Sequence, residues 1–456
     1  MSLFDAAHYE ADDMLAHPRH LTLQPVLAHL IHQLRACDTT EGGVAFQNDL
    51  RDQLLAVEKD RDGFKRAAER VRRGKAPQPG APEPQSGRDP ADLETWLFEQ
   101  DVCERLSRQL RTVGDALAWR VFNFHRPFVL ALARNDPPGP MYGKAGLPAE
   151  LDFIDRAWKQ DGAFALHHDL TNCLRIGDAT VFDSESPRTV EIKTNPKKTK
   201  PVQLRRINEA RAAVLHGGPM PGGPAAEVLY DLDLPLKTHL DILRTAANRA
   251  HTEGIVATEV PGSRALLVVD QYACDKLGLR SKAGLQKINE EFVAALNRAK
   301  IGRREDNIHA TTMDFTARDP LRVPWASYPL DPVICARLIG DYTMFTVETN
   351  GPALARQLQA SGMDARWVRP PGNGDLERGQ VVMEISDYRP LRAVLTGNSH
   401  AAVTRRLQVR RLEIDRYLTE LIRPSTWAAG IHHLLTMPQT IQTPWPHYRD
   451  EEQVWR

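Results

Sequence analysis

Apolar side chains along the chain recur first with the period of a helix. Leu23, Val26, Leu27, Leu30, Ile31 and Leu34 fall on one face, which predicts a helix near the N-terminus. A second helix is expected over Val44 to Val71. It closes on Glu69-Arg70-Val71-Arg72-Arg73, and cations there suit the negative end of the helix dipole. Gly74 to Arg88 breaks the pattern with Pro77, Pro79, Pro82 and Pro84 among glycines, and reads as a flexible linker at a domain boundary. Asp89 to Phe122 is helical again, with Asp89 as N-cap and Pro90 at the first helical position. Its buried stripe is Leu93, Leu97, Cys103, Leu106, Leu110, Val113 and Leu117.

The period then shortens. Asn135 to Gly146 is a Pro/Gly loop, and Glu150 to Trp158 a short helix. Gly139 to Lys144 has the look of a phosphate loop but the wrong spacing, with no Ser or Thr after the Lys. Ala163 to Leu170 reads as a strand; of His167 and His168, at most one can face a site, because successive strand residues point to opposite sides. Two β-branched runs, Asp178 to Phe182 and Thr189 to Lys193, flank the polar turn Asp183 to Arg188 and predict a hairpin. A helix is expected over Val202 to Leu215, a strand over Glu227 to Leu232, a helix over Leu236 to His251 and a buried strand over Ala265 to Val269. The C-terminal part predicts a helix over Ser281 to Lys300, strands over Asp341 to Thr349 and Gln380 to Ile385, and an amphipathic helix over Val403 to Ile422.

Composition narrows the reading. At 456 residues the chain exceeds one ordinary core. With 42% apolar and 26% charged residues it is globular. The 59 basic residues balance 59 acidic ones, so any nucleic-acid surface is local. Five scattered cysteines without a Cys-x-x-Cys argue against a zinc or disulfide framework and suit a reducing, cytoplasmic setting. No apolar run reaches the length of a membrane span, and the N-terminus lacks a basic-then-apolar leader, so no membrane association is expected.

The hairpin carries the chemistry. Glu191 and Lys193 share one face, Val190 and Ile192 the other, and Asp178 opens the partner strand beside them. Two close carboxylates resist joint ionisation unless a cation lies between them. Mg²⁺ or Mn²⁺ takes oxygen ligands, here Asp178, Glu191 and the Ile192 carbonyl, and an ion so held can polarise a phosphoryl oxygen and activate a water for in-line attack. Lys193 orients that water or stabilises charge growing on the phosphate. From Lys193 to Arg211 seven basic residues face one acid. Lys197, Lys198, Lys200, Arg205 and Arg206 are candidates for the nucleic-acid backbone, or else a solvated charge run.

Asp178, twelve residues, then Glu191-Ile192-Lys193 resembles the PD-(D/E)xK, restriction-endonuclease-like nuclease superfamily. Gly177 stands where that family commonly has Pro. The resemblance covers about residues 89–275 and implies an α/β fold, a mixed sheet flanked by helices. It also implies a Gln on the next helix, for which Gln203 fits, and an acid on an upstream helix, for which Asp115 and Glu104 are candidates. The expected organisation is a helical region 1–73, the linker 74–88, the nuclease-like domain 89–275 and an α+β region 276–456. The implied activity is a metal-dependent endonuclease, with DNA the favoured substrate. A role as an effector of prokaryotic antiviral defence rests on fold-level analogy alone.

Other readings stay open. The chain could be a non-catalytic nucleic-acid- or protein-binding scaffold that retains a nuclease fold. The N-terminal helices could bind a protein partner or self-associate. His29 and His32 read as a polar helix face. Asp341 with Val347-Glu348-Thr349 mimics the motif without its Lys, and Trp427, Trp445, Tyr448 and Trp455 read as packing before base stacking.

Overall fold

The computed structural model describes residues 13–133, 138–183, 187–193, 201–216, 221, 231–301, 306–312, 322–368, 381–387, 406–436 and 447–449. It is mixed α/β, and its two larger kinds of sheet are antiparallel. The chain forms two compact units, Met1–Gly222 with Ala317–Tyr342, and Gly223–Thr316 with Thr343–Arg456. This division departs from the expected one. The segment 89–275 is shared between both units, and 74–88 lies inside the first.

The first unit is built on three helices, α1 (Pro18–Ala36), α2 (Thr40–Arg72) and α3 (Leu93–Val121). Thr39 caps α2 by accepting the Gly42 N–H, and Phe46, Leu50, Leu54 and Phe64 form its buried stripe. α2 and α3 pack along their lengths, and the Pro/Gly segment between them is an ordered strap. Gln85 and Ser86 N–H groups donate to Glu99 Oε1 at 2.6 and 2.7 Å, and the Arg88 guanidinium covers the Phe98 ring. The strap therefore joins two packed helices, and its prolines lower the entropy of a connection that composition alone reads as flexible. α3 starts later than expected, with Asp92 as N-cap.

Next come α4 (Arg126–Leu132) and α5 (Leu147–Asp161), then β1 (Phe164–His167), β2 (Ala179–Phe182) and β3 (Arg188–Val190). The sheet runs β1-β2-β3, antiparallel throughout, with Phe164 opposite Phe182 and Ala179 opposite Val190. The first strand is shorter than expected, because the chain turns into a 3-10 helix at His168–Leu170. Ile154 and Ala157 of α5 close on Ala163, Ala165 and Val181. Burying a side chain the size of Ile154 contributes about 2 kcal/mol, so this contact sets where α5 lies on the sheet. α6 (Pro201–His216) follows and packs on α4.

The second unit holds an antiparallel sheet, β5 (Ile255–Val260), β6 (Arg264–Asp270), β8 (Thr343–Asn350) and β7 (Asn307–Thr311), in that order. β6 is buried at every position, which explains its continuous apolar run. Helices α7 (Leu240–Glu253) and α8 (Lys282–Arg298) pack on this sheet. Strand β4 (Asp231–Pro235) pairs in parallel with β12 (His447–Arg449), not with the hairpin sheet. The single mixed sheet expected over 89–275 is thus replaced by separate sheets in different units. The expected helix over Val403–Ile422 is strand β11 (Arg406–Arg410) followed by a helix, Arg411–Thr419. Leu407 and Val409 alternate with polar neighbours, so period two wins where β10 (Val381–Asp387) offers a ladder.

Candidate functional site

Asp178 sits at the mouth of the hairpin and is bonded to both neighbouring segments. Its carbonyl accepts the His168 N–H at 3.0 Å and its N–H donates to Val190 O at 2.8 Å. Gly177 before it has φ +78°, and a Cβ there would fall 2.5 Å from Thr189 Cγ2 and 2.9 Å from Val190 O. A proline cannot adopt that φ, so glycine takes the place. With the backbone so held, the Asp178 carboxylate reaches across and accepts the Ile192 N–H at 2.7 Å. Glu191 and Lys193, on either side of Ile192, pair with each other. Asp178 is thus bonded to the segment just past β3 that carries Glu191 and Lys193; the Glu191 charge acts on its carboxyl, and its own charge acts on Lys193.

A third acid joins them from α5. Glu150 is buried, and Lys144 Nζ lies 2.9 Å from its Oε1 and 3.0 Å from its Oε2. The same ammonium is 2.7 Å from Asp169 Oδ2 and 3.9 Å from Asp178 Oδ1. His167 Nε2 stands 3.1 Å from Glu150 Oε2, and since a carboxylate only accepts, that nitrogen carries the proton. Glu150, His167 and Asp169 present ligand-type atoms within 4.8 Å of one another. His167 donates to Glu150 through Nε2, and its buried Nδ1 has no hydrogen-bond partner among the described residues.

Electrostatics separate the acids. Burial, followed by the charges of Glu191 and Glu150, pushes the Asp178 carboxyl above its ordinary value, against the Ile192 hydrogen bond. Burial opposes ionisation of Glu150 too, but hydrogen bonds from His167 and Lys144 outweigh it and hold that carboxyl low. Burial also works against the Lys193 ammonium, and Glu191 and Asp178 more than compensate. Burial and like charge thus disfavour the Asp178 anion, whereas hydrogen bonds favour that of Glu150.

A second layer fixes these groups. Glu58 of α2 accepts the Met141 and Tyr142 N–H groups at 2.7 and 2.8 Å, anchoring the loop that carries Lys144. Arg111 of α3 pairs with Glu58 at 2.6 Å and donates to Gly139 O and Asp169 O, both at 2.9 Å. Gln47 covers the free edge of β1, accepting the His167 N–H at 2.9 Å and donating to Ala165 O at 3.0 Å.

Other expected residues lie elsewhere. Asp115 accepts the Asn172 and Cys173 N–H groups at 2.7 and 2.9 Å and the Asn172 side-chain amide at 3.0 Å. Both its oxygens hold the turn after the 3-10 helix, and none of its hydrogen bonds goes to Asp178, Glu191 or Lys193. Glu104 pairs with Arg61 at 3.3 Å on an exposed flank. Gln203 is half-buried on α6, outside the site's hydrogen bonds among the described residues. Arg205 pairs with Glu209 at 3.3 Å and Arg206 is half-buried on the same helix. Lys197, Lys198 and Lys200 lie outside the described residues. His168 is buried and faces away, bonded to Gly177 O at 3.1 Å and Thr180 Oγ1 at 2.8 Å, and burial lowers it to about 3.

Sequence reasoning missed Glu150, Asp169 and Lys144. A usable signal was present: an acid on the helix directly before the first strand of the hairpin sheet.

No family model matches the chain, and no curated protein or solved structure is significantly similar to it. Among the described residues no helix is long and apolar enough to cross a membrane.

Proposed function

We propose that this chain is a divalent-metal-dependent nuclease of the PD-(D/E)xK type, acting on the phosphodiesters of DNA. The observation that carries the reading is the Asp178 carboxylate, bonded to the Ile192 amide beside Glu191 and Lys193 and repelled by Glu191 and Glu150. The donor set fits Mg²⁺ or Mn²⁺, because carboxylates and backbone carbonyls are the hard oxygen ligands such ions take. Asp178, Glu191 and the Ile192 carbonyl would hold the ion, with Glu150 as the acid contributed by the preceding helix. The bound ion would polarise a phosphoryl oxygen and make a coordinated water acidic.

The chain's own residues do the rest. The Ile192 amide holds the Asp178 carboxylate in one orientation, so the ligand set needs little reorganisation. The Lys193 ammonium pairs with the buried Glu191 carboxylate while its side chain stays 30% exposed, so from that position it can donate to a phosphoryl oxygen as its charge grows. Glu58 and Arg111 keep Asp169 and the Lys144 loop in register with the sheet.

Plasmid nicking with Mg²⁺ or Mn²⁺ tests the proposal, comparing wild type with Lys193→Ala and Asp178→Asn. Cleavage by the wild type alone is expected. Equal cleavage by all three removes the mechanism, and none under any metal favours a binding scaffold.

A further inference from the structure

Lys144 stands where a cation is expected. Its ammonium donates to both oxygens of Glu150 and to Asp169 Oδ2, and lies 3.9 Å from Asp178 Oδ1. The third contact of the Glu150 carboxylate, from His167, falls on Oε2 as well. Oε2 is thus shared by Lys144 and His167, and Oε1 faces the same ammonium, so a metal at Glu150 would meet a like charge while Lys144 stays in place.

The loop is built to let the side chain go. It is clamped at Gly139, Met141 and Tyr142 by Arg111 and Glu58. Beyond the clamp Tyr142 and Gly143 are exposed, and the Lys144 side chain is 33% exposed. Its flexible four-carbon stem can carry the ammonium into water without moving the clamped backbone. A divalent ion brings twice the charge to the same acids, so ion and ammonium compete for one position.

We propose that Lys144 is a tethered counter-cation, which holds Glu150, Asp169 and Asp178 together in the metal-free protein and is displaced when a divalent ion binds. The proposal rests on the metal-dependent reading above and adds a threshold to it: the ion concentration at which the site fills is set by this lysine.

The test is Mn²⁺ binding, followed by the loss of the free-ion paramagnetic signal, in wild type, Lys144→Met and Asp178→Asn. Removing the competitor is expected to tighten Mn²⁺ by about tenfold, the equivalent of about 1.4 kcal/mol, one charge-assisted contact. Acetylation of the Lys144 amine in the unmodified protein, read by peptide mass spectrometry, needs no variant to fold, and is expected to speed up when Mn²⁺ is added. Unchanged or weaker binding by Lys144→Met, or unchanged Lys144 acetylation in the wild type, overturns the displacement. If Asp178→Asn still abolishes binding, the metal reading survives that failure. If Mn²⁺ binds to none of the three proteins, the metal reading falls and this inference falls with it.

Discussion

A Cβ on Gly114 would lie 1.8 Å from the carbonyl oxygen of Leu170, so α3 and the turn after β1 meet backbone to backbone. That approach positions Asp169, one residue earlier, over the Lys144 loop. Any side chain at 114 must push the turn away. Gly114→Ala is expected to cost about 3 kcal/mol in chemical denaturation, at the upper end for overpacking. An unchanged unfolding midpoint would show that the helix can slide, and that the turn is not held by this contact.

Asp178→Asn separates the site's chemistry from its fold. The amide oxygen still accepts the Ile192 N–H, and neutralising the group relieves repulsion from Glu191 and Glu150. Stability should stay level or rise slightly, while metal-dependent cleavage falls by at least about a hundredfold. A variant that unfolds instead would mean that the charge is needed for folding.

Glu58 links two helices to the Lys144 loop, and it is buried with Arg111. Glu58→Gln leaves that guanidinium without its counter-charge. The expected loss is about 3 kcal/mol of stability, typical of a buried pair broken on one side. Faster exchange at Met141 and Tyr142 should accompany it, and protection as in the wild type would remove the clamp.

Two buried histidines make the fold acid-sensitive. His20 and His168 are each lowered to about 3, first by burial, from an ordinary 6.5. Between those values the unfolded chain binds protons that the folded chain does not. The stability each provides is therefore complete above pH 6.5 and is lost as pH falls toward 3, at up to about 1.4 kcal/mol per pH unit. Glu150 and Asp169, both held low, add to the loss in the same direction below their ordinary values. Urea midpoints should drop between pH 7 and pH 5, and His168→Gln should reduce the slope. A midpoint independent of pH over that range would contradict the neutral, buried assignment.

The hairpin was legible because its signals are local. Strands β2 and β3 are close in sequence and pair as expected, but β3 ends at Val190, so Glu191 and Lys193 lie just past the strand and not on a common strand face. Glu150 was not legible in the same way. It is 28 residues from Asp178, and its place depends on Ile154 and Ala157 finding the sheet. Asp115 looked equally suitable, an acid on an amphipathic helix. Its partner, the Asn172 turn, was chosen by the Gly114 contact. The strap at 74–88 misled because composition reports how polar and kinked a segment is, not which carboxylate its N–H groups will meet.

By itself the sequence determined element types and the neighbours reached through one turn, since backbone sterics and side-chain alternation act over a few residues. Tertiary packing decided which distant acid completes the site, which acid holds a turn, and where an internal lysine comes to rest. Those outcomes depend on helix-to-sheet burial and close backbone approach, and no short-range pattern encodes the geometry of either.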